Sequence, residues 1–505
     1  MILDTATVDR DVSLTADVCV IGSGAGGAVA AAELAAGGRS VVIVEEGPYV
    51  PSAAFTQREE RMLPLLYADP NVRTAIDSTV VVSQGAVVGG STVSSFCVCV
   101  RTPPRILAHW AASCGLHGVQ IDAMAPHFER VEAAAHVHPM TADDLNANNE
   151  KLKTGAERLG FRAYQPAHNR VDCVGCGFCA LGCAYDRKSD ALTVHVATAS
   201  RHGATIVPGC RVERIETRDG AASGVSGRFL RTRGDTPRAL HVRAGTVVLA
   251  AGAVASPALW LRSQLPNPYQ QVGRNLHLHP QVVVGAVFGE EIAGWRGIPQ
   301  SVIVDEFLDL ERSVQGGYLL MPFFAHPITA ASLLPGFGAH YHQLMGDYAR
   351  LALATVVLHD RTAGDVELDS SGRVSISYHL GDEDRSDLLD GMRRLADIYF
   401  ASGAQRVILP FNELIELTHR GDYRGLAEHP FRANDPLLLS YHPQGTLRMG
   451  ADKKRAVVNG WGEAHEVKRL FVADASIFPT STAVPPQLSV MAFASRTARY
   501  ILGNT

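Results

Sequence analysis

The sequence has little net charge and no long uninterrupted hydrophobic run. Its 46 Lys and Arg residues against 51 Asp and Glu leave a formal charge of -5, which gives no broad attraction to nucleic acid or to an acidic membrane. The longest apolar region, 246–261, is interrupted by Gly252, Ser256 and Pro257 and is shorter than the ~20 apolar residues that a membrane span needs. We therefore expect a small-molecule partner, no nucleic acid and no membrane span.

The N-terminal segment also lacks a basic stretch followed by an apolar one, so no secretory signal is visible. Nine cysteines, four of them within eleven residues, do not resemble the disulfide framework of a secreted protein in a chain of this length. Both features favour a reducing cytoplasm. We predict a cytoplasmic location.

A chain of 505 residues is longer than one ordinary compact domain. Strand-like runs at 16–21 and 40–44 flank helix-forming residues 28–34, which predicts a βαβ unit. Further strand-like runs lie at 204–207, 239–242 and 246–250, whereas 106–200 has no long periodic pattern. From 281 to 435 the pattern changes to separate strands, a hairpin through 365–374 and a helix at 384–400.

A Gly-rich turn follows the first predicted strand. Gly22, Gly24 and Gly27 fit G-x-G-x-x-G at the start of a helix, where the helix N-terminus can face a pyrophosphate. Glu45 lies 18 residues beyond Gly27, at the end of the second strand, where its carboxylate can accept hydrogen bonds from ribose hydroxyls. The segment predicts a dinucleotide site, which both NAD and FAD would fit.

Three distant segments favour FAD. They are a second Gly-rich loop at 85–92, a strand that ends in small residues at 248–253, and a late strand followed by an acid at 471–476. A cofactor that contacts four separated parts of the chain is long and deeply buried. FAD fits this description better than an exchanging nicotinamide.

These residues resemble the glucose-methanol-choline (GMC) oxidoreductase family. The matching pieces follow in family order: Gly22–Gly27 with Glu45; Val88–Thr92 with Arg101; Ala250–Ala253 with Ser256 and Pro257; Val272–Leu276 with His279 and Pro280; His442–Thr446 with Met449 and Gly450; and Asp474–Pro479. They extend over most of the chain, although 281–435 matches only in its general pattern.

The resemblance implies an α/β fold, with a Rossmann-like FAD-binding domain and an antiparallel-sheet α+β substrate domain. We assign 1–105, 201–280 and 436–505 to a discontinuous FAD-binding domain, 106–200 to a helical and loop insertion with a Cys-rich loop, and 281–435 to the substrate domain. The cofactor contacts that it implies are Gly22, Gly24, Gly27, Glu45, Gly89, Gly90, Ser91, Val212, Ala251, Gly252, Asp474, Ala475, Pro486 and Gln487.

The resemblance also implies a reaction, in which an alcohol C–H is oxidised by hydride transfer to flavin N5 while a histidine removes the hydroxyl proton. That residue is His442. Its neutral imidazole can accept a proton near neutral pH without a large pKa adjustment. His279 is interpreted instead as part of a structural turn.

The sequence departs from the family pattern at two substrate positions. Pro485 stands where the family commonly has an Asn or His over the flavin, and proline has no side-chain donor. Ser95 stands where an Asn is usual. Either another group, such as Ser95, Gln487 or a residue from the 106–200 insertion, replaces the lost hydrogen bond, or the enzyme performs another flavin-dependent dehydrogenation or reduction. A non-catalytic FAD-binding protein is the alternative of another class.

Apolar residues in the predicted substrate domain favour a hydrophobic or aromatic substrate over a sugar, although the same residues could be core. They are Phe323, Phe324, Leu333, Leu334 and Phe337.

A cysteine-rich segment has the spacing C-x2-C-x2-C-x3-C. Its members are Cys173, Cys176, Cys179 and Cys183, and the spacing is that of a ferredoxin iron-sulfur loop. A structural or disulfide loop and a zinc site remain open as alternatives. An iron-sulfur cluster would favour transfer of electrons to a quinone or a partner protein.

Overall fold

The first strand, helix and second strand form the predicted βαβ unit. The computed structural model describes residues 1–3, 8–69, 73–230, 238–423, 426 and 431–504. Strand β1 (Val12–Ile21) pairs in parallel with β2 (Val41–Val44), and helix α1 (Ala25–Ala36) connects them. All four residues of β2 are buried, as expected of a parallel strand covered on both faces.

The first sheet is mostly parallel at its centre. Within the described ranges it has seven strands, in the order β8-β2-β1-β11-β10-β9 with β21 beside β11. The remaining members are β8 (Thr205–Val207), β9 (Cys210–Arg218), β10 (Ala221–Phe229), β11 (Ala239–Leu249) and β21 (Leu470–Val472). Two strands were expected at 239–242 and 246–250. They form one strand, because β1 pairs with β11 on both sides of Gly245.

The second sheet is largely antiparallel, as expected for a substrate domain. Among the described residues it has nine strands: β3 (Val80–Val82), β6 (Ala163–Tyr164), β12 (Gln281–Val287), β13 (Ile303–Val304), β14 (Tyr318–Pro322), β15 (Leu351–Leu358), β18 (Arg406–Leu409), β19 (Ile415–Leu417) and β20 (Leu438–Ser440). Smaller sheets pair β16 (Asp365–Leu368) with β17 (Val374–Ser377), the predicted hairpin, and place β7 (Ala167–Asn169) between β4 (Val98–Cys99) and β5 (Val137–Pro139).

Helices cover both sheets. They are α2 (Glu59–Leu66), α3 (Pro104–Ser113), α4 (Ile121–Ala134), α5 (Ala147–Arg158), α6 (Ala197–Arg201), α7 (Gly252–Arg262), α8 (Pro327–Leu333), α9 (Gly338–Gly346), α10 (Asp382–Ala401) and α11 (Gln487–Asn504). Helix α11 packs against α1. In the described part of the chain, no helix has the length and apolar character required to cross a membrane.

The parallel strands bring distant residues to one edge of the first sheet. Gly22 follows β1, Glu45 follows β2, Gly252 follows β11 and Asp474 lies two residues after β21. The carboxyl ends of parallel strands share an edge, which is where ligands bind in such sheets. His442 comes to this region from the second sheet, two residues after the end of β20.

Candidate active site

The first Gly-rich turn needs its glycines for close backbone contacts. Gly22 has φ +94°, and a Cβ there would lie 2.4 Å from the carbonyl oxygen of Ala250. A Cβ on Gly27 would lie 2.0 Å from the carbonyl oxygen of Gly22. No side chain caps the N-terminus of α1, which follows Gly24. Backbone N–H groups at the start of this helix can therefore receive a phosphate.

The second Gly-rich loop lies directly against the first. Gly90 has φ +57°, and a Cβ there would lie 2.6 Å from the Cα of Gly24. Gly89 donates its backbone N–H to the Ser23 hydroxyl over 3.0 Å. The two loops thus form one cradle made of backbone. Ser91 borders the same cavity as Gly24.

Glu45 is buried behind the first turn. One carboxylate oxygen accepts hydrogen bonds from the Ser23 backbone N–H over 2.9 Å and from the Ser23 hydroxyl over 2.7 Å. The other accepts the Gly47 N–H over 2.9 Å. Burial raises the pKa of Glu45, while these hydrogen bonds act in the opposite direction. The carboxylate borders the cavity and retains lone pairs for ribose hydroxyls.

Asp474 joins two segments of the chain. Its Oδ2 accepts the Gly252 N–H over 2.8 Å and the Ser256 hydroxyl over 2.6 Å. Its Oδ1 accepts the Ser476 N–H over 2.8 Å. Burial raises the pKa of this carboxyl. The side chain therefore fixes the end of β21 to the start of α7 beside the cradle.

One cavity of about 870 Å³ connects these groups to His442. The sequence-predicted site residues that border it are Gly22, Gly24, Glu45, Gly90, Ser91, Ser95, Val212, Ala251, Gly252, His442, Asp474, Ala475, Pro485, Pro486 and Gln487. Gly27 and Gly89 were predicted as cofactor contacts but do not border the cavity, because Gly27 packs on Gly22 and Gly89 holds Ser23. The backbone cradle, the carboxylates and the uncapped helix end fit FAD.

His442 meets a second histidine outside the cavity. Its Nδ1 lies 3.2 Å from the Nδ1 of His279, and the two rings are nearly perpendicular. Burial lowers the pKa of His442 to about 4, so the ring is neutral near pH 7. Since His279 occupies Nδ1 and His442 borders the cavity, Nε2 is the nitrogen presented to a substrate.

The contact with His279 was missed by the sequence interpretation, which gave this residue a structural role. His279 is fully buried at φ +48°, and its backbone N–H donates to Asp360 over 3.3 Å. Asp360 also accepts the Leu278 N–H and the Tyr378 hydroxyl, each over 2.8 Å. This buried carboxylate fixes the backbone that carries the His279 ring toward His442.

A group of apolar and aromatic side chains borders the cavity. They are Phe96, Val98, Met321, Phe323, Phe324, Val357 and Tyr441. Phe323 and Phe324 were predicted from the sequence. Leu333 and Leu334 do not border the cavity and pack instead in the hydrophobic cluster behind Phe323, and Phe337 is 91% exposed.

Several polar side chains also border the cavity, among them Gln281, Gln300 and His326. Pro485 and Ser95 border the cavity as predicted, but the Ser95 hydroxyl donates to the Thr92 carbonyl over 3.1 Å. Gln281 also borders it. The Thr355 hydroxyl lies 3.4 Å from the Gln281 Oε1 but donates over the shorter distance of 3.0 Å to the Val282 carbonyl, so the Gln281 amide keeps its donor for a substrate. Its position just after the His279-Pro280 pair is the sequence signal that could have identified it.

The predicted metal centre in the cysteine-rich segment is not supported by the described residues. Across the described ranges, no group of three or more His, Cys, Asp or Glu side chains is placed to hold a metal ion. The four proposed ligands were Cys173, Cys176, Cys179 and Cys183. The Cys179 thiol instead forms a hydrogen bond with that of Cys97, which together with burial raises the pKa of Cys179 well above its usual range. Neither iron-sulfur nor zinc binding is supported.

Lys188 gives this segment a structural role. Its ammonium donates to the carbonyl oxygens of Val93 and Ser95 over 2.7 Å each, and to that of Cys179 over 2.8 Å. Three carbonyl partners satisfy a buried cation. The cysteine segment is thereby tied to the chain that follows the second Gly-rich loop.

Two family models match the chain, both described as GMC oxidoreductase, over residues 18–281 and 360–494. A GMC-type oxidoreductase of Mycobacterium tuberculosis is 32% identical over 491 residues, covering 95% of this chain and 74% of that protein. A long-chain-alcohol oxidase of Arabidopsis thaliana is 28% identical over 512 residues, covering 96% of this chain and 68% of that protein.

Solved structures share the fold. Pyridoxine 4-oxidase from Mesorbium loti has a TM-score of 0.69 at 19% identity and covers 97% of this chain and 99% of its own. A formate oxidase of Aspergillus oryzae has a TM-score of 0.72 at 17% identity with the same coverage. The expected fold class is confirmed, and the non-catalytic alternative is set aside. The chain belongs to the GMC oxidoreductase family and is an FAD-dependent oxidoreductase.

Proposed function

We propose that this enzyme oxidises a neutral, largely apolar alcohol, and that His442 removes the hydroxyl proton. FAD, when bound, supplies the two-electron acceptor for the carbinol hydrogen. The observation that carries the proposal is one continuous cavity, in which the dinucleotide cradle, His442 and a group of apolar side chains share the same space. A reacting alcohol in that space can meet the ring and the cofactor together.

The electrostatics of His442 support its role as the proton acceptor. Its lowered pKa, about 4 through burial, keeps the ring neutral over the physiological range. A base must be unprotonated before it can act. The same low pKa makes the ring a weaker base than an ordinary imidazole and its protonated form a readier proton donor, so the expectation that no large pKa adjustment is needed was wrong.

The lining of the cavity supports an apolar substrate. Met321 and Val357 border it in the second sheet and Phe323 borders it directly after β14, and such walls bind apolar surface while offering little to a sugar. The name of the relative from Arabidopsis thaliana, a long-chain-alcohol oxidase, is consistent with this substrate class.

Gln281 takes the place of the hydrogen-bond partner that Pro485 lacks. His279, two residues before Gln281, contacts His442 directly, and Gln281 pairs with Leu439, three residues before His442. The amide is thus held close to the base, and the Thr355 hydroxyl beside it donates to the Val282 carbonyl. We assign its Nε2 as the second donor to the substrate oxygen.

Anaerobic flavin bleaching by a matched set of alcohols tests the substrate class. Primary aliphatic and benzylic alcohols are expected to reduce the flavin, and sugars and cationic alcohols are not. Val357→Thr adds a hydroxyl to the cavity wall and should weaken binding of the longest alcohols. Val356→Thr is the control, because Val356 lies in the core of the same strand away from the cavity. Reduction by sugars alone would contradict the proposal.

We further propose dioxygen as the electron acceptor, because the relative from Arabidopsis thaliana is named an oxidase. The quinone or partner protein expected from the cysteine spacing depended on an iron-sulfur cluster, which the described residues do not support. Stoichiometric hydrogen peroxide during turnover in air is the expected result. Turnover that requires an added quinone would contradict this part of the proposal.

A further inference from the structure

The side chain of Gln444 lies behind His442, in a fully buried position. Its Oε1 accepts the backbone N–H of Thr482 over 3.2 Å, and its Nε2 donates to the carbonyl oxygen of His442 over 3.2 Å. A backbone N–H can only donate and a carbonyl can only accept. These two partners therefore fix which end of the Gln444 amide carries the nitrogen.

That orientation determines the tautomer of His279. The Gln444 Nε2 also lies 3.4 Å from the Nε2 of His279. Because this amide nitrogen is a donor, the His279 Nε2 is favoured as an acceptor without a proton. Burial, followed by the nearby His442, lowers the pKa of His279 well below its usual value, so the ring is neutral. Its single proton is therefore on Nδ1.

The tautomer of His279 in turn determines that of His442. The His279 Nδ1 lies 3.2 Å from the His442 Nδ1, and with its proton there it donates to the second ring. His442 then accepts at Nδ1. A neutral imidazole carries one proton, so the proton of His442 is on Nε2.

We propose that Gln444, acting through His279, is a positioning residue that holds the resting proton of His442 on Nε2, the nitrogen that faces the cavity. At rest the ring thus meets a substrate oxygen as a hydrogen-bond donor. The tautomer stands independently of the reaction, and only its kinetic consequence rests on the proposed function.

The kinetic consequence concerns how much of the enzyme is ready to act as a base. Accepting a hydroxyl proton at Nε2 requires the other tautomer, in which His442 donates from Nδ1 to His279 and the His279 Nε2–H faces the Gln444 amide nitrogen. Both forms carry the same number of protons. The His279 Nε2–H and the Gln444 amide N–H then face each other, and two buried donors in contact are unfavourable. About one molecule in ten to one in a hundred therefore has His442 in the tautomer that can accept a proton at Nε2.

The test is ¹⁵N NMR of the FAD-loaded enzyme labelled in its histidine rings, in the wild type, Gln444→Glu and Gln444→Leu. The His442 signals are assigned by their loss in His442→Ala. The wild type should show the proton of His442 on Nε2. Gln444→Glu, whose carboxylate accepts from the His279 Nε2–H, should move it to Nδ1. Gln444→Leu, whose side chain neither donates nor accepts a hydrogen bond, should give a mixture of the two His442 tautomers.

A wild-type ring with its proton on Nδ1, or the same His442 tautomer in all three proteins, would overturn the proposal. The wild-type spectrum decides this even where a variant does not fold.

Rates of anaerobic flavin reduction by a reactive alcohol test the consequence. Gln444→Glu should raise the rate constant about tenfold at saturating alcohol and change its pH profile, with little effect on the half-saturating concentration, because Gln444 does not border the cavity. A purely structural role predicts equal losses in both variants and overturns the proposal. A tautomer change without a rate change supports the tautomer and contradicts His442 as the base, so the two failures are distinguishable.

Discussion

Replacing Gly90 with alanine should separate the two Gly-rich loops and weaken FAD binding. Both Gly90 and Gly372 have positive φ, +57° and +78°, so alanine at either position carries a left-handed strain of about 1–2 kcal/mol. At Gly372 no atom lies within 4 Å of the new Cβ. At Gly90 the Cβ would lie 2.6 Å from the Gly24 Cα, well inside the carbon contact distance of about 3.5–4.0 Å.

Relieving that overlap requires one loop to move by about 1 Å, and overpacking of this kind costs about 1–3 kcal/mol. Because both loops border the cavity at Gly24 and Gly90, most of this cost should appear in cofactor affinity. We expect Gly90→Ala to bind FAD about 10- to 100-fold more weakly than Gly372→Ala. The assay is titration of the FAD-free proteins with FAD, followed by flavin fluorescence. Equal affinities in the two variants would refute the cradle geometry.

Three other predictions concern the carboxylate, the substrate amide and pH. Glu45→Gln places an amide NH₂ against a backbone or hydroxyl donor and should weaken FAD binding by about 1–3 kcal/mol; unchanged affinity would contradict the hydrogen bonds assigned to Glu45. Gln281→Leu should lower kcat/KM for the alcohol about tenfold by removing one hydrogen bond while leaving FAD affinity unchanged; an equal loss of both would identify a structural role. Burial lowers the pKa of His195 and of His359 to about 4, below the ~6.5 of an unfolded histidine. The unfolded state then binds more protons, so stability should fall as pH drops from about 6.5 to 4, by up to about 3 kcal/mol for each ring. A melting temperature that stays constant over this range would contradict it.

The cofactor end of the site was predictable because its signals are local. Gly22, Gly24 and Glu45 belong to one βαβ unit, where a strand, a turn and a helix are set by neighbouring residues. Gly90 and Ser91 of the second Gly-rich loop and Asp474 also border the cavity, and each belongs to a turn with its own short sequence pattern. For these positions the spacing along the chain defines the geometry.

The contact between His279 and His442 was not predictable in this way. These residues are 163 positions apart, and they meet through the pairing of β12 with β20, where Gln281 lies opposite Leu439. A one-residue change of register would reverse which side chains face each other. Nothing in the local sequence of either strand specifies that register.

The iron-sulfur site predicted from the cysteine spacing is not supported, for a related reason. Spacing allows four thiols to converge, but the backbone decides whether they do. Here the Cys179 side chain is directed to Cys97, which belongs to a different segment of the chain. The ammonium of Lys188 donates a hydrogen bond to the carbonyl of Cys179. Both contacts depend on residues outside the motif.

The central claim is that His442 takes the proton of an alcohol beside bound FAD. Its most direct test is the rate of anaerobic flavin reduction by a reactive primary alcohol, in stopped flow, for the wild type, His442→Ala and the exposed control His202→Ala. We expect His442→Ala to retain its FAD and to be reduced about 10²- to 10⁴-fold more slowly, with His202→Ala at the wild-type rate. Equal rates in His442→Ala and the wild type would contradict the account.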